Sequence, residues 1–381
     1  MRFLIASPPP GERPDAQFVH ETARLLHQRG HEVLLVYFNR PPATAELPWY
    51  AEAGVRWAFW RRADGVVRRL PELRRIMAGF RPDLAEFHFS ATAPGLAVAW
   101  SLHVPRRVAW YHSSLEFARS IYPGSRLSFQ MHFTLERLAR RTATHHVVLS
   151  RSSRDEYVRA YGVPAARVTT HALGVDLTGI ASFLTGKPAT RTAGAVAEPC
   201  LVCLSRLARL KGQYLLVQAL PDLLPAFPRL RLIFAGPGDP GVLRQLALRL
   251  GVADHCEFRG ELPRPEAIRL LHRADVALFP SQAEAFGLVT LESMACGTPL
   301  IASALGAAGD IVEDGKTGIL VRTAAAAAWG QAIAGLLRDS ALRSGIAAGA
   351  WQKVREYDLP RRVAAYADWL EVTAQQPATA T

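Results

Sequence analysis

The sequence predicts an α/β protein made of two doubly wound parallel-sheet domains, and three observations predict it. Short apolar runs alternate with amphipathic helical runs along nearly all of the 381 residues, the pattern of successive βαβ units. That length suggests about two domains. A stretch without periodicity, rich in Thr, Gly, Ala and Pro, runs from Leu177 to Glu198 and splits the series. The expected organisation is a first domain over 1–180, a linker over 181–198, a second domain over 199–352, and closing helices over 353–381.

In the first domain RFLIAS, EVLLVYF, DLAEFHF, RRVAWYH and HHVVLS read as strands, each a short apolar run. AQFVHETARLLHQRGH reads as an amphipathic helix that Gly30 ends, a good C-cap. VVRRLPELRRIMAGF is basic and amphipathic, with a break favoured at Pro71. It reads either as an outer helix of the sheet or as a membrane-surface contact. In the second domain LVCLS, LRLIFAG, HCEFRG, VALFP, PLIAS and GILV read as strands, and the alanine run 324–328 as a helix start. WQKVREYDLPRRVAAYADWLEV has helical spacing broken at Pro360, and the tail after Thr373 is expected to be disordered.

Hydrophobic residues make up 49% of the chain, enough for two cores. No apolar run reaches the ~20 residues of a membrane helix, and MRFLIAS enters a strand rather than a signal peptide. A cytoplasmic protein is expected, with a peripheral position at the inner membrane surface open. Cys200 and Cys203 form a C-x-x-C inside an apolar strand without a second pair; they read as buried thiols rather than a zinc site. The net charge is +12. Residues 1–180 hold 24 Lys/Arg against 15 Asp/Glu, and the remainder 21 against 18. The basic surplus therefore lies in the first half, where it suits anionic lipid head groups or acidic acceptors. Nucleic acid is disfavoured, since no helix-turn-helix, zinc-finger or RNP aromatic pattern is present.

The chemistry concentrates in PSQAEAFGLVTLESMACGTPLIAS, residues 280–303. It reads as a loop and a helix between two strands, with Glu284 in the loop, Gly287 at the helix start and Glu292 within the helix. A helix N-terminus suits a phosphate, and a carboxylate accepts strongly from sugar hydroxyls. Alone, either glutamate reads first as a surface group. LVCLSRLARLKG, residues 201–212, carries Arg206 and Lys211 in the loop after a strand. Two such cations can clamp a diphosphate, or be solvated charges, the reading taken for Arg209. GPGDPG, residues 236–241, fits the G-x-G-x-x-G of a dinucleotide site, with Glu257 about 20 residues on. Asp239 and the two prolines argue against pyrophosphate there, because they add negative charge and remove N–H donors. His112, in AWYHSSLE after a strand, is either a site residue or a packed histidine, and His88 is more in keeping with a structural one.

These motifs resemble the Glu-x7-Glu signature and two-cation loop of the retaining glycosyltransferases of the GT-B fold, the family 4 or group 1 type, over nearly the whole chain. The resemblance implies two Rossmann-like domains facing a central cleft, with the closing helices crossing back to the first. It implies a metal-independent hexosyl transfer from a nucleotide diphosphate sugar, UDP- or GDP-sugar foremost, to an acceptor hydroxyl. Glycan, glycolipid or glycosylated-metabolite biosynthesis would be the setting, including bacterial polysaccharide. Arg206 and Lys211 match the pair that holds the leaving diphosphate, Glu284 the group orienting the donor sugar, and His112 the active-site histidine. Glu292 matches the ribose-binding residue. Phe286, Gly287 and Leu288 at the helix start, and Gly236 in the glycine turn, match the nucleotide-binding positions. Backbone from Arg259 to Leu262 is expected near the base. Two departures stand out. Pro14-Asp15 replaces the family's paired glycines in the loop 9–17, and Leu173 replaces Asn in HALGVD, where Gly174 is expected to serve a turn. A same-fold epimerase or phosphorylase, an NAD-dependent dehydrogenase using GPGDPG, and a non-catalytic binding protein are the alternatives. The resemblance leaves the acceptor open among a glycan, a lipid-linked group and a small molecule.

Overall fold

Parallel strands in the order 3-2-1-4-5-6 recur in both halves of the chain, and that order fixes where side chains can gather. The computed structural model describes residues 1–9, 14–38, 41, 52–60, 66–122, 124–184 and 197–376. The chain divides into two units, Met1–Gly174 with Leu359–Thr381, and Val175–Asp358.

The first unit runs β1 (Arg2–Ser7), α1 (Pro14–Gln28), β2 (Glu32–Phe38), β3 (Arg56–Trp60), α2 (Val66–Phe80), β4 (Leu84–Phe87), α3 (Thr92–Ser101) and β5 (Arg106–Tyr111). It continues with α4 (Leu115–Ile121), α5 (Arg126–Arg141), β6 (His145–Val148), α6 (Arg151–Tyr161) and β7 (Val168–Thr170). Its sheet has the order β3-β2-β1-β4-β5-β6-β7, all parallel. Strand side chains are buried on both faces, as in β2 and β5, which is why these runs read as continuously apolar. Leu73, Met77 and Phe80 of α2 pack into the core with Leu4, Val36 and Phe87 of the strands.

The second unit runs α7 (Leu177–Phe183), β8 (Cys200–Leu204), α8 (Gln213–Leu223), β9 (Arg231–Ala235), α9 (Gly241–Arg249), β10 (Cys256–Phe258) and α10 (Arg264–Arg273). There follow β11 (Val276–Phe279), α11 (Leu288–Ala295), β12 (Leu300–Ser303), α12 (Ala308–Ile311), β13 (Ile319–Val321), α13 (Ala326–Arg338) and α14 (Ser340–Val354). The sheet order is β10-β9-β8-β11-β12-β13. Trp329 and Leu220 close one face of it over Leu232 and Phe234. The last helix, α15 (Leu359–Gln375), belongs to the first unit. There Tyr366 accepts from Trp110 Nε1 at 2.7 Å, and Glu371 meets His31 Nε2 at 2.7 Å.

The structure corrects several sequence expectations. The proposed linker begins as helix α7, whose N-cap Asp176 accepts from Gly179 N at 2.8 Å; the unit boundary falls at Gly174, and 185–196 lie outside the described residues. Pro71 does not break α2. Its missing N–H removes one helical hydrogen bond, and burial of Leu73, Met77 and Phe80 holds the helix across it. That burial also leaves α2 an outer helix of the sheet. Its apolar side faces the core, while Arg74 and Arg75 are exposed. Pro14 and Asp15 open α1 rather than lying in a loop, and 10–13 are outside the described residues. The closing helices part at Arg355–Tyr357, and Pro360 sits in the first turn of α15, where no intrahelical donor is needed. α15 runs past Thr373 to Gln375; 377–381 are outside the described residues. Gly174 serves a close approach rather than a left-handed turn, since a Cβ there would lie 2.5 Å from Leu359 Cα. The strands β3 and β7 had no counterpart in the sequence reading.

At Gly212, which opens α8 with φ +70°, an added Cβ would lie 2.1 Å from Pro280 O. Gly212→Ala should therefore destabilise the fold by more than the ~1 kcal/mol of a misplaced left-handed residue. A thermal melt beside Gly335→Ala, at a helical position open to solvent, checks this: only the first should fall clearly.

Candidate functional site

In the second sheet β8 pairs directly with β11, Val276 opposite Leu201 and Ala277 opposite Val202. Successive connections leave these two strands in opposite directions, so a crevice opens at their carboxyl ends, where ligands bind in such sheets. The loop after β8 carries Arg206 and Lys211; the loop after β11 carries Glu284. Backbone bonds fix both. Gln282 N donates to Leu210 O at 2.8 Å, and Leu207 N to Pro237 O at 2.8 Å. Buried Gln213 donates to Ser205 Oγ at 2.9 Å and Arg206 O at 2.8 Å. The result is an ion pair between Lys211 Nζ and Glu284 Oε2, 73 residues apart in sequence. Arg206 is exposed on the same loop. Gly287 (φ +88°) opens α11, and a Cβ there would lie 3.7 Å from Glu284 Cγ. The first-turn amides of α11 thus start beside this carboxylate, with Phe286 buried and Leu288 half-buried around them.

Glu292, one helical stretch further on, is buried at 6% exposure. Its Oε1 lies 2.7 Å from Arg264 Nη1 at the start of α10. Burial pushes the Glu292 carboxyl above its ordinary range, and Arg264 offsets part of that. A carboxylate has room for further donors beyond one guanidinium contact. Arg259 lies nearby in sequence, but its guanidinium is bonded to Glu257 at 2.7 Å and its N–H to Phe234 O at 2.9 Å. Gly260 O accepts from Gly236 N at 2.7 Å. The polar backbone of 259–260 is thus partly engaged within the unit, and Leu262 is half-buried beside it.

The GPGDPG turn is poorly suited to a pyrophosphate. Asp239 Oδ1 accepts from Gly241 N at 2.9 Å, so a carboxylate already sits at the start of α9. Gly236 (φ +139°) is needed because a Cβ would lie 2.2 Å from Ser205 O. The close approach is to the Arg206 loop of the same unit.

His112 follows β5 in the first unit. Its Nε2 lies 2.8 Å from Nδ1 of fully buried His88, and His88 Nε2 bonds buried Glu86. The Glu86 carboxylate accepts from His88 Nε2–H, so a hydrogen-bond chain runs from Glu86 through His88 to His112. The His112 ring stacks on Phe89 (centroids 3.9 Å, 12°) and on Trp110 (5.2 Å, 12°). Phe89 holds a left-handed backbone, φ +51°, a strained setting for an aromatic residue. Sequence reasoning placed His88 as structural, which its burial fits, yet it also supports His112. The E-x-H period-two spacing from β4 into the residue after it was the available signal. Arg264 gave no local signal, because its partner Glu292 is distant in sequence.

Chemically, the second unit offers an ammonium, a guanidinium, helix amides and two carboxylates at one sheet edge. Such a set binds an anion and hydroxyl groups together. Cys203 is buried in β8 and its thiol is pushed up to about 12 by that burial; Cys200 is half-buried, and the described cysteines are unbridged. No group of three or more His, Cys, Asp or Glu gathers among the described residues.

Comparison with known proteins matches residues 192–352 to the glycosyl transferases group 1 and residues 16–178 to glycosyltransferase family 4. The glycogen synthase of Mycobacterium tuberculosis is 32% identical over 93% of this chain and 90% of its own. A D-inositol 3-phosphate glycosyltransferase of Xylanimonas cellulosilytica is 33% identical over 61% of this chain, which spans 58% of that relative's length. Among solved structures, Anabaena HepE in complex with UDP and glucose has a TM-score of 0.76 at 20% identity, covering 98% of this chain and all of that one. The sucrose-phosphate synthase of Thermosynechococcus elongatus has a TM-score of 0.74 at 20% identity over the same shares. These likenesses establish the GT-B fold and lend no support to an epimerase, phosphorylase or dehydrogenase.

Removing Arg264 would strand the Glu292 charge. Arg264→Ala should destabilise by about 3–5 kcal/mol near neutral pH, the cost of breaking a buried pair. Without Arg264 the Glu292 carboxyl rises further. A raised folded-state value means stability is held at low pH and lost as pH rises through it. Melts from pH 5 to pH 8 should therefore show a deficit that grows with pH, and Arg264→Ala/Glu292→Gln should flatten it.

Proposed function

The chain belongs to the group 1, family 4 glycosyltransferases, and from that premise we propose that it moves a sugar from a nucleotide diphosphate sugar to an acceptor hydroxyl with retention at the anomeric carbon. The observation that carries this reading is the meeting of Lys211 and Glu284 beside the start of α11. A donor would satisfy each partner separately, its diphosphate taking the ammonium and its sugar hydroxyls the carboxylate. Departure of a diphosphate from an oxocarbenium-like centre dominates the barrier, so stabilising the leaving group is the main requirement. Arg206, Lys211 and the α11 amides supply that stabilisation without a divalent metal. The carboxylates would accept from donor hydroxyls, and the leaving phosphate itself would help deprotonate the acceptor. Glu292, steadied by Arg264, accepts from the ribose hydroxyls. In the first unit, His112, held by His88 and stacked on Phe89, is the polar side chain proposed to meet substrate.

The relatives support the donor class: HepE was crystallised with UDP-glucose. UDP-glucose is accordingly the first donor to try, with GDP-sugars next. The acceptor class is a glycan, a lipid-linked sugar or a glycosylated metabolite. The basic surplus of residues 1–180 favours an anionic partner for the first unit.

A thermal-shift screen against nucleotide sugars identifies the donor, because a bound ligand stabilises by mass action. With that donor, Lys211→Ala should lose about a hundredfold in turnover; near-normal kinetics in the folded variant would remove Lys211 from the site. Glu284→Gln should leave affinity for the free nucleotide diphosphate intact in calorimetry and lower turnover about tenfold or more, since only the sugar loses a charge-assisted bond. In a separate assay, turnover should persist in EDTA. An absolute magnesium or manganese requirement at the chemical step would contradict the metal-free clamp.

A further inference from the structure

The helix α5 is amphipathic twice over. One side packs inward. Phe133 lies 5.1 Å from Tyr161, and buried Arg140 donates to Tyr157 Oη at 3.0 Å and Trp110 O at 3.3 Å. The other side carries Leu127, Met131, Leu135 and Leu138, which are 67%, 62%, 64% and 52% exposed. Steps of four, four and three residues keep these four on one side of a helix. Four of the eleven large apolar side chains exposed among the described residues thus form a single stripe. Scattered exposed apolar residues are ordinary, whereas a contiguous patch marks an interaction surface.

Beside the stripe runs a second row, Arg126, Gln130, Arg137 and Arg141, all exposed. Arg137 uses its Nε on Tyr161 O at 3.3 Å, and the residue remains at the surface. The one acid of α5, Glu136, faces Arg140 at 3.2 Å. Arg119 of α4 is exposed as well, against the exposed acid Glu116. On α3, which packs against α5, Trp100 is 57% exposed. An apolar stripe edged by arginines, with a tryptophan on the neighbouring helix, is the composition of a helix lying in a lipid interface. At 16 residues α5 is shorter than the ~20 of a membrane-spanning helix.

We propose that the outward side of α5 is a docking surface for an anionic phospholipid bilayer. Charge decides between this occupant and a second copy of the chain. Symmetric pairing would set the same patch against itself and bring the arginine rows together, whereas anionic head groups complement them. The proposal deepens the reading of an anionic partner for the first unit, and it replaces α2, whose apolar side is in the core, as the membrane-facing helix.

The test is sedimentation of the full chain with vesicles of phosphatidylcholine alone or mixed with phosphatidylglycerol. The chain should pellet with the mixed vesicles, and less so as salt rises. Met131→Gln/Leu135→Gln should cut that partition at least tenfold with an unchanged melting temperature. Arg126→Gln/Arg141→Gln should abolish the preference for the anionic vesicles. Failure of the wild type to pellet, or unchanged pelleting of the Met131/Leu135 variant, overturns the proposal. So does a dimer in sedimentation equilibrium that the Met131/Leu135 variant abolishes, which would assign the stripe to a second copy. Donor stabilisation in the thermal-shift screen is read independently, so either idea can fail without the other.

Discussion

The direct pairing of β8 with β11 is the constraint on which the second unit's site depends. Parallel strands adjacent in the sheet but distant in sequence must receive crossovers from opposite directions, which leaves their carboxyl ends uncovered between diverging loops. Cations after β8 and a carboxylate after β11 are thereby brought to one edge. Everything near that edge then serves to hold the loops at a fixed separation. Gln213 ties the Arg206 loop to its own helix, Gln282 ties the two loops together, and Gly212 and Gly236 let backbone pass where a Cβ would collide. The Lys211–Glu284 pair is the consequence of this arrangement rather than its cause, since a partly exposed ion pair contributes little on its own.

Buried charge is handled alike in both units. A carboxylate removed from water needs a partner, because the desolvation cost otherwise neutralises it or unfolds its surroundings. Glu292 has Arg264, and Glu86 has His88. In each case the partner comes from an element whose position the sheet already fixes. In the first unit a hydrogen-bond chain runs from Glu86 through His88 to His112, which stacks on Phe89 and Trp110. Phe89, beside this chain, holds a left-handed backbone of the strained kind that functional surroundings tolerate.

The surface divides by the same logic. α2 and α5 are both basic and amphipathic in sequence, yet α2 buries its apolar side against the sheet. α5 packs with Phe133 and Arg140 and leaves a leucine-rich stripe outside. Among the described side chains, only the second of these leaves an apolar stripe for a partner.

Much of this was legible in the chain itself. The alternation of apolar runs and helical periods determines the fold class, because a sheet buried on both faces needs continuous apolar strands and its helices a single apolar side. The motifs at 201–212 and 280–303 were legible for a related reason: a site at strand ends places its residues just after recognisable strands. Short or exposed strands such as β3 and β7 were not legible, nor was α7, whose helix hangs on the Asp176 cap within a stretch rich in small residues. The tertiary structure alone decided the partners. Lys211 with Glu284, Arg264 with Glu292 and His88 with His112 join residues whose separation in sequence carries no periodicity, and only the sheet order makes them neighbours. Pro71 gives the same lesson in reverse: local chemistry argued for a break, and burial of three side chains beyond it outweighed one missing hydrogen bond.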